Sequence, residues 1–478
     1  MTIKIGDVSK GLVVAGLSGG SGKSVVAVGI TAALAEQGLR ISPFKKGPDY
    51  IDAGWLQMAA GSECHNLDPY LMAEDVIKQS FSEHASGSDF AIVEGNRGLF
   101  DGVDIAGSYS TAELAAILGM PVLLAIDCTK TTRTVAAMVL GCQQLGADID
   151  IRGVVLNRIG SARHERIVRQ AVEHYTDVKV VGAIPRMRRD IFPQRHIGIT
   201  PCPEYAGASE AVKDLAQSIR EDVDLTLITE LARPVLGRND ASIYDIWAEP
   251  GQERVTIGVI RDAAFQFYYP ENLRALELCG ADILEINALS MAELPEVDGL
   301  YIGGGFPETS VMKLAANSIF RHSVKERIEH GLPVYAECGG LIYLGESLEV
   351  DSEKYPLVGV FPARFKMEKK PQAHGYTIIE PLAGNPVYAA GTEIKGHEFR
   401  YSKVVEWSGE QDDLVFEMKR GVGFAHGRDG LVYKNCLALY THVHALGTPE
   451  WAGNFVRTVR QVKEQARRPI SMRSQNTK

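Results

Sequence analysis

A chain of 478 residues exceeds what one hydrophobic core ordinarily serves, so two or more domains are expected. Apolar residues make up 45% and charged residues 23%, a globular composition that excludes a disordered or low-complexity chain. Lys plus Arg number 50 against 60 for Asp plus Glu, a formal net charge of −10, which argues against a general nucleic-acid binder. No apolar run approaches the roughly 18 residues of a bilayer span, so no membrane partner is expected. Residues 1–7 show neither the apolar centre of a signal peptide nor an Arg-rich transit pattern. The cysteines (Cys64, Cys128, Cys142, Cys202, Cys279, Cys338 and Cys436) are odd in number and widely spread. Neither a disulfide framework nor a structural zinc site is therefore expected, and a reducing cytoplasm is the expected location.

In chain order, residues 11–15, 89–93, 121–126 and 151–156 are short apolar runs bounded by Gly, Pro or Asp, the pattern of buried strands. Helix-length stretches such as 24–37 and 111–118 lie between them. The alternation predicts an α/β fold, a parallel sheet with helices on both faces. It continues through a strand at 180–184 and a helix at 209–219. Residues 232–253 lose periodicity and gather Pro, Gly, Asn and Asp. The expected organisation is a first domain over 1–235, a linker over 236–254, a second α/β domain over 255–450, and a terminal helix with a basic tail over 451–478. In the second domain, residues 255–260, 299–302, 333–336 and 434–440 read as strands.

The first strand runs into Gly16-Leu-Ser-Gly19-Gly20-Ser21-Gly22-Lys23-Ser24, followed at once by a helix. Glycines let backbone N–H groups turn inward around phosphate oxygens, the helix N-terminus adds its positive end, and Lys23 neutralises charge. Ser24 is placed to hold Mg2+. The alternative is a glycine-rich turn ahead of an ordinary helix. The five residues between Gly16 and Gly22, one more than the strict pattern, resemble the loop of dethiobiotin synthetase and its relatives, which use ATP to phosphorylate a carboxylate. That chemistry needs further Mg2+ ligands and a basic site for an anionic substrate. Residues 44–52, read as a Pro/Gly-shaped loop, offer Lys45, Lys46, Asp49 and Asp52. Glu94 ends a buried strand, where open α/β sheets bind ligands, and Arg97 and Asp101 follow it. Ser24, Asp49 and Glu94 are the expected Mg2+ ligands.

Cys338 lies between a buried strand and Gly339-Gly340, which open a helix. That is the setting of a nucleophile elbow, in which the next backbone N–H forms half an oxyanion hole. Gly303-Gly304-Gly305 at another strand end suit the other half, so Gly304, Gly305 and Gly339 are the expected oxyanion donors. Tyr440-Thr-His442-Val-His444 supplies imidazoles two apart, on one face of a strand. His442 is the expected base, with His444 the alternative. A metal site at this pair lacks a third ligand of convincing spacing.

Together these motifs resemble the cobyrinate a,c-diamide synthase family, in which a dethiobiotin-synthetase-like domain is fused to a class I glutamine amidotransferase domain of the cobyric acid synthase type. The resemblance covers nearly all of residues 10–460. It rests on the extended phosphate loop, on 46–52, 94–102, 261–270, 303–308, 336–340, 396–402 and 440–444. It implies an ATP- and Mg2+-dependent ligase whose small-molecule partners are ATP, L-glutamine and a tetrapyrrole carboxylate. Cys338 would free ammonia from glutamine with His442 shuttling the proton, and no third carboxylate is expected to orient that histidine. The first domain would phosphorylate acetate side chains at the a and c positions for amidation. Lys46, Asp49, Tyr50, Ile51, Arg97 and Asp101 would shape the substrate side.

Two positions depart from the family pattern. Gly-Asn-Arg97 stands where Gly-Val-Met is usual, and Arg400 stands where His is usual. Each adds positive charge beside an expected polycarboxylate site, which also suits a sirohydrochlorin-type macrocycle such as nickel-sirohydrochlorin or sirohaem. Cobyrinate ranks first. A reading of another class is a P-loop partitioning or metal-insertion ATPase with a non-catalytic second domain. Oligomeric state, monomer or homodimer, is not legible in the pattern.

Overall fold

The computed structural model describes residues 9–467 apart from 147, 187–191, 193, 196–197, 236–240, 248–251 and 383. The chain divides into two compact units between Ile243 and Tyr244. Parts of the expected linker (236–240 and 248–251), the first residues and the basic tail from 468 lie outside the described residues.

The first unit is built on seven parallel strands: β1 (Lys10–Gly16), β2 (Ile41–Lys46), β3 (His65–Leu67), β4 (Phe90–Glu94), β5 (Val122–Asp127), β6 (Ile151–Ile159) and β7 (Lys179–Pro185). They lie in the order β3-β2-β4-β1-β5-β6-β7, and Arg233–Pro234 adds an antiparallel edge to β1. Helices cover both faces of such a sheet, so its strands read as continuous apolar runs. Leu12, Val13, Val14 and Ala15 are all buried. Helices α1 (Lys23–Glu36), α2 (Tyr50–Ala60) and Ala208–Asp222 share one core with β1, β2 and β4. Because β1 lies between β4 and β5, the chain leaves it in both directions, which opens a crevice at the carboxyl ends of the strands.

The segment 44–52, expected to be a loop, is mostly regular. Phe44, Lys45 and Lys46 finish β2, and Tyr50 opens α2. Pro43 and two lysines conceal the strand in the sequence. Both lysines are buried, which a strand end can tolerate only among carboxylates.

In the second unit Ala281–Ile286, Val255–Ile260, Gly299–Ile302, Val334–Glu337 and Cys436–Leu439 pair in parallel. The same sheet continues antiparallel through Arg428–Tyr433, Leu414–Arg420, Ala373–Pro381, Ile394–Arg400 and His442–Val443. A separate four-stranded sheet includes Ser347–Val350 and Ala363–Met367. The strand expected over 434–440 is shorter, because Lys434 adopts a left-handed φ of 53° and turns a hairpin ahead of Cys436. Helix Glu450–Arg467 buries Trp451, Phe455 and Val459. No helix among the described residues is long and apolar enough to cross a membrane.

Candidate active sites

In the first unit the loop after β1 enters α1 through Gly22, whose φ is 92°, a left-handed value that favours glycine. A methyl group there would also strike the Asn157 amide. Asn157, at the β6 end, donates from Nδ2 to the Ser21 carbonyl at 3.0 Å, so β6 props the loop from below. No side chain caps α1, and its first N–H groups are left for an anion. Gly19 and Gly20 are exposed, and Ser21 is buried beneath them.

Register places Val14 beside Glu94 and Glu94 beside Lys45, so three strands deliver one cluster. Ser24 Oγ donates to Glu94 Oε1 at 2.6 Å and lies 3.4 Å from Asp52 Oδ2. Lys45 Nζ is 2.8 Å from Asp52 Oδ2, 3.4 Å from Glu94 Oε1 and 3.7 Å from Asp49 Oδ2. It also donates to the Gly95 carbonyl at 3.0 Å. Lys23 Nζ stands 3.7 Å from Glu94 Oε1. Burial opposes the Lys45 charge, but Asp52, Glu94 and Asp49 outweigh it and raise its pKa. Burial, then the neighbouring Asp52, pushes Glu94 up to about 7. Asp52 is held below the usual carboxylate range: burial acts upward, and Lys45 and Lys23 overcome it.

Three carboxylates thus share two ammonium groups, and Glu94 Oε2 is buried without a hydrogen-bond partner. An orphaned buried oxygen beside a hydroxyl and a second carboxylate fits a hard divalent cation. Asp49 accepts the N–H groups of Ile51 and Asp52 at 3.0 Å each, capping α2. Of the two aspartates it is Asp52, one turn on, that joins Glu94 at the Ser24 hydroxyl. Lys45 and Asp52 are not among the site residues expected from the sequence, although both stand in the stretch that drew attention. Lys45 lies four residues before Asp49 and Asp52 three after it, offsets that become meaningful only once Asp52 is known to be helical.

On the substrate side, Lys46 is buried at the end of β2. Burial depresses its pKa against the pull of Asp68, with Lys45 and Arg97 adding to the depression. Arg97 is exposed with a left-handed φ of 50°. Tyr50 and Ile51 are half-buried in the first turn of α2. Asp101 is exposed, and its carboxylate accepts the Gly98 N–H at 2.8 Å, bracing that loop.

In the second unit Cys338 follows Val334–Glu337 with φ 45° and ψ −96° and leads into helix Gly339–Leu344. A non-glycine residue in that region is strained, a condition that persists only where the surroundings enforce it. Its N–H donates to the Leu439 carbonyl at 2.8 Å. Gly305, with φ 156°, has no room for a methyl group against the Ala264 carbonyl. Gly304 packs on the His442 ring, and Gly339 packs against the Gly304-Gly305 backbone. The three expected oxyanion glycines are thus packed together beside the His442 ring and the turn that carries Cys338.

Burial acts to lower the His442 pKa, yet hydrogen bonding to Cys338 and the nearby Glu337 carry it up to about 10. Such a shift favours the imidazolium, and a thiolate beside an imidazolium is the reactive form of a Cys–His pair. No third carboxylate is expected from the sequence to orient this histidine, yet Glu337 Oε2 lies 3.5 Å from His442 Nδ1. His444 is directed elsewhere. Its Nε2 lies 3.5 Å from Glu271 Oε2, and its Nδ1 accepts the Leu446 N–H at 3.1 Å.

Buried side chains hold the backbone that carries His442. Asp429 accepts the N–H groups of Tyr440 and Thr441 at 3.0–3.1 Å. Asn272 donates to the Val443 carbonyl at 2.8 Å and accepts the Ala445 N–H at 2.7 Å. His397 pairs in register with His442 and stacks on it, ring centroids 4.8 Å apart.

Arg400 does not add charge beside an open site. It is buried with its guanidinium 3.9 Å above the Tyr440 ring, and it donates to the Ser402 and Gly423 carbonyls at 2.6 Å each. Glu398, 3.8 Å away, accepts the N–H groups of Val422 and Gly423. The polar run 396–402 is thus an internal brace, invisible in a pattern where Arg signals exposure.

Residues 12–197 match the CobQ/CobB/MinD/ParA nucleotide binding domain family, and residues 256–450 match the CobB/CobQ-like glutamine amidotransferase domain family. The chain is 41% identical over 445 residues to the cobyrinate a,c-diamide synthase of Magnetococcus marinus, covering 92% of this chain and 95% of that one. It is 38% identical to the Archaeoglobus fulgidus protein of the same name, covering 95% and 98% respectively. The Methanobrevibacter smithii relative is 37% identical over 94% of this chain and 99% of its own. A partitioning ATPase would have no need of the amidotransferase half or its thiol–imidazole pair. With a nucleotide-binding domain, an amidotransferase domain and full-length relatives of one kind, the chain belongs to the cobyrinate a,c-diamide synthase family, ATP-using carbon–nitrogen ligases of cobalamin biosynthesis that draw their amide nitrogen from glutamine.

Proposed function

We propose that the chain amidates the a and c acetate carboxylates of cobyrinate, yielding cobyrinate a,c-diamide. The observation that carries this reading is the buried Ser24–Asp52–Glu94 cluster at the start of α1, with Lys46 at the end of β2 and Arg97 three residues beyond the β4 end at Glu94. That arrangement suits anion recognition beside a phosphate loop, in a chain whose relatives bear that enzyme's name.

At the amidotransferase centre the Cys338 thiolate attacks the carboxamide carbon of glutamine. The oxyanion meets the N–H groups of Gly304, Gly305 and Gly339, and His442 gives its proton to the departing ammonia. Water then hydrolyses the γ-glutamyl thioester, with neutral His442 accepting its proton. In the first unit the γ-phosphoryl group of ATP passes to an acetate oxygen, and ammonia displaces phosphate from the acyl phosphate. Gly19, Gly20, Ser21 and Gly22 cradle the phosphates, and Lys23 neutralises them. Ser24, Asp52 and Glu94, with Asp49 beside them, would hold Mg2+, which would supply charge neutralisation at the phosphates. Lys46 and Arg97 pair with carboxylate arms of the macrocycle, while Tyr50, Ile51 and Asp101 shape its edge.

Mass spectrometry of products from a panel of tetrapyrrole carboxylates, with ATP, Mg2+ and glutamine, tests the substrate. Cobyrinate is expected to lose mass in two successive acid-to-amide steps. The exposed Arg97 favours sirohydrochlorin derivatives as the second reading. Diamidation of one of these, with cobyrinate unchanged, would overturn the first.

A further inference from the structure

Consecutive residues of a strand point to opposite faces, yet Glu337 and Cys338 both meet the His442 imidazole. The left-handed φ of Cys338 takes the chain out of strand geometry at that step and brings two neighbouring side chains to one ring. Glu337 is 1% exposed. Its Oε1 accepts the Val443 N–H at 3.2 Å, and its Oε2 accepts the Tyr301 hydroxyl at 3.4 Å and lies 3.5 Å from His442 Nδ1. One N–H and one phenol compensate a buried carboxylate only in part, and a cationic partner is the usual remainder. Cys338, Glu337 and His397 are charged or titratable groups at the imidazole. Burial keeps His397 neutral, so Glu337 is the counter-charge on the Nδ1 side.

We propose that Glu337, the residue immediately before the nucleophile, is the positioning carboxylate of the amidotransferase centre, holding His442 Nδ1–H and so turning Nε2 toward Cys338 Sγ. It takes the place of the acidic third member that the sequence pattern does not offer after His442, where His444 stands. During turnover Glu337 keeps its charge and transfers no proton. It selects the imidazole tautomer and stabilises the imidazolium that forms opposite the thiolate. The inference rests on the Cys338–His442 reading of this centre.

Glu337→Gln keeps the side-chain volume and an acceptor for the Val443 N–H but removes the charge. Its glutaminase kcat is expected to fall by about a hundredfold, with KM for glutamine within about twofold. The alkaline limb of the kcat/KM profile should move to lower pH, because the imidazolium loses its counter-charge. Ammonium-dependent amidation in the same preparation should stay at the wild-type rate. Glu337→Asp, with the charge retained but withdrawn, should recover part of kcat and move the limb less. Wild-type kcat with an unmoved limb in Glu337→Gln would overturn the proposal. Equal losses in both variants with unmoved limbs would reduce Glu337 to a backbone brace and overturn it too. Should Glu337→Gln not fold, an unmoved limb in Glu337→Asp decides against the proposal and a partial shift decides for it. Persisting glutaminase activity in Cys338→Ala would instead sink the underlying dyad.

Discussion

Around the Ser24 hydroxyl five charged side chains converge, Lys23, Lys45, Asp49, Asp52 and Glu94, whereas around the Cys338 thiol stand glycine backbone, one imidazole and one carboxylate. In the first unit the charges do not balance. Three carboxylates face two ammonium groups, and Glu94 responds by holding its proton up to about pH 7. A divalent cation would offset that excess. In the second unit the counter-charges are internal, and backbone strain at Cys338 does the positioning before any ligand arrives. The first centre would be completed by its ligands, whereas the second is held by its own backbone. The two should therefore fail differently when damaged.

The sharpest separation comes from Cys338→Ala. Glutamine-dependent amidation is expected to fall to background while ammonium-dependent amidation persists, as rates with the two nitrogen sources would show. Loss of both would deny the units their separate roles. Next come Lys45→Met and Asp52→Asn, each expected to lower ATP-dependent amidation by about a hundredfold or more while glutamine is still hydrolysed. Lys45→Met should also cost about 3–5 kcal/mol of stability in denaturant unfolding, since it leaves buried carboxylates uncompensated. If it does not, the cluster is better hydrated than its burial implies.

Smaller effects come from protons. The Glu94 pKa is raised to about 7 by burial and Asp52, and that of Asp429 to about 6 by burial. Each carboxyl binds more protons folded than unfolded between its ordinary pKa and the raised one. Its contribution to stability therefore falls as pH rises through that window and levels off above about 7 and about 6 respectively. Melting temperature against pH measures the sum. Mg2+ should weaken the Glu94 part, because it binds the ionised form. Apparent Mg2+ affinity should accordingly rise up to about pH 7 and flatten beyond.

The smallest expected effects concern the two arginines that depart from the family pattern. Arg97→Met, at an exposed position, should leave stability within about 0.5 kcal/mol and shift the ratio of kcat/KM for cobyrinate over sirohydrochlorin derivatives by a few-fold. Arg400→Met should leave that ratio alone and lower stability by about 2–4 kcal/mol, through the lost contact with Tyr440 and the stranded Glu398. A selectivity change in Arg400→Met would mean that the brace reaches the macrocycle.

The phosphate loop and the elbow were legible because each is one continuous stretch whose glycines state a backbone requirement locally. Glu94 was legible as the last residue of an apolar strand. Lys45 and Asp52 were visible as charges, but a strand too polar to look like one and a helix beginning at Tyr50 concealed their meeting, and Arg400 was concealed by the habit of arginine to face water. Glu337 was in plain view beside Cys338, but nothing local says that both side chains reach one ring. Asn272 and Asp429 meet the His442 segment from positions 171 and 11 residues away, and no pattern at either position announces it.

By itself the order of amino acids determined where backbone N–H groups gather, because such cradles are made by consecutive residues with special dihedral angles. Which carboxylate meets the Ser24 hydroxyl, which side of the His442 ring carries a counter-charge and whether an arginine is buried were decided only by the tertiary structure. Those are through-space pairings, set by strand order and register, and charges removed from water take the partners that register puts within reach.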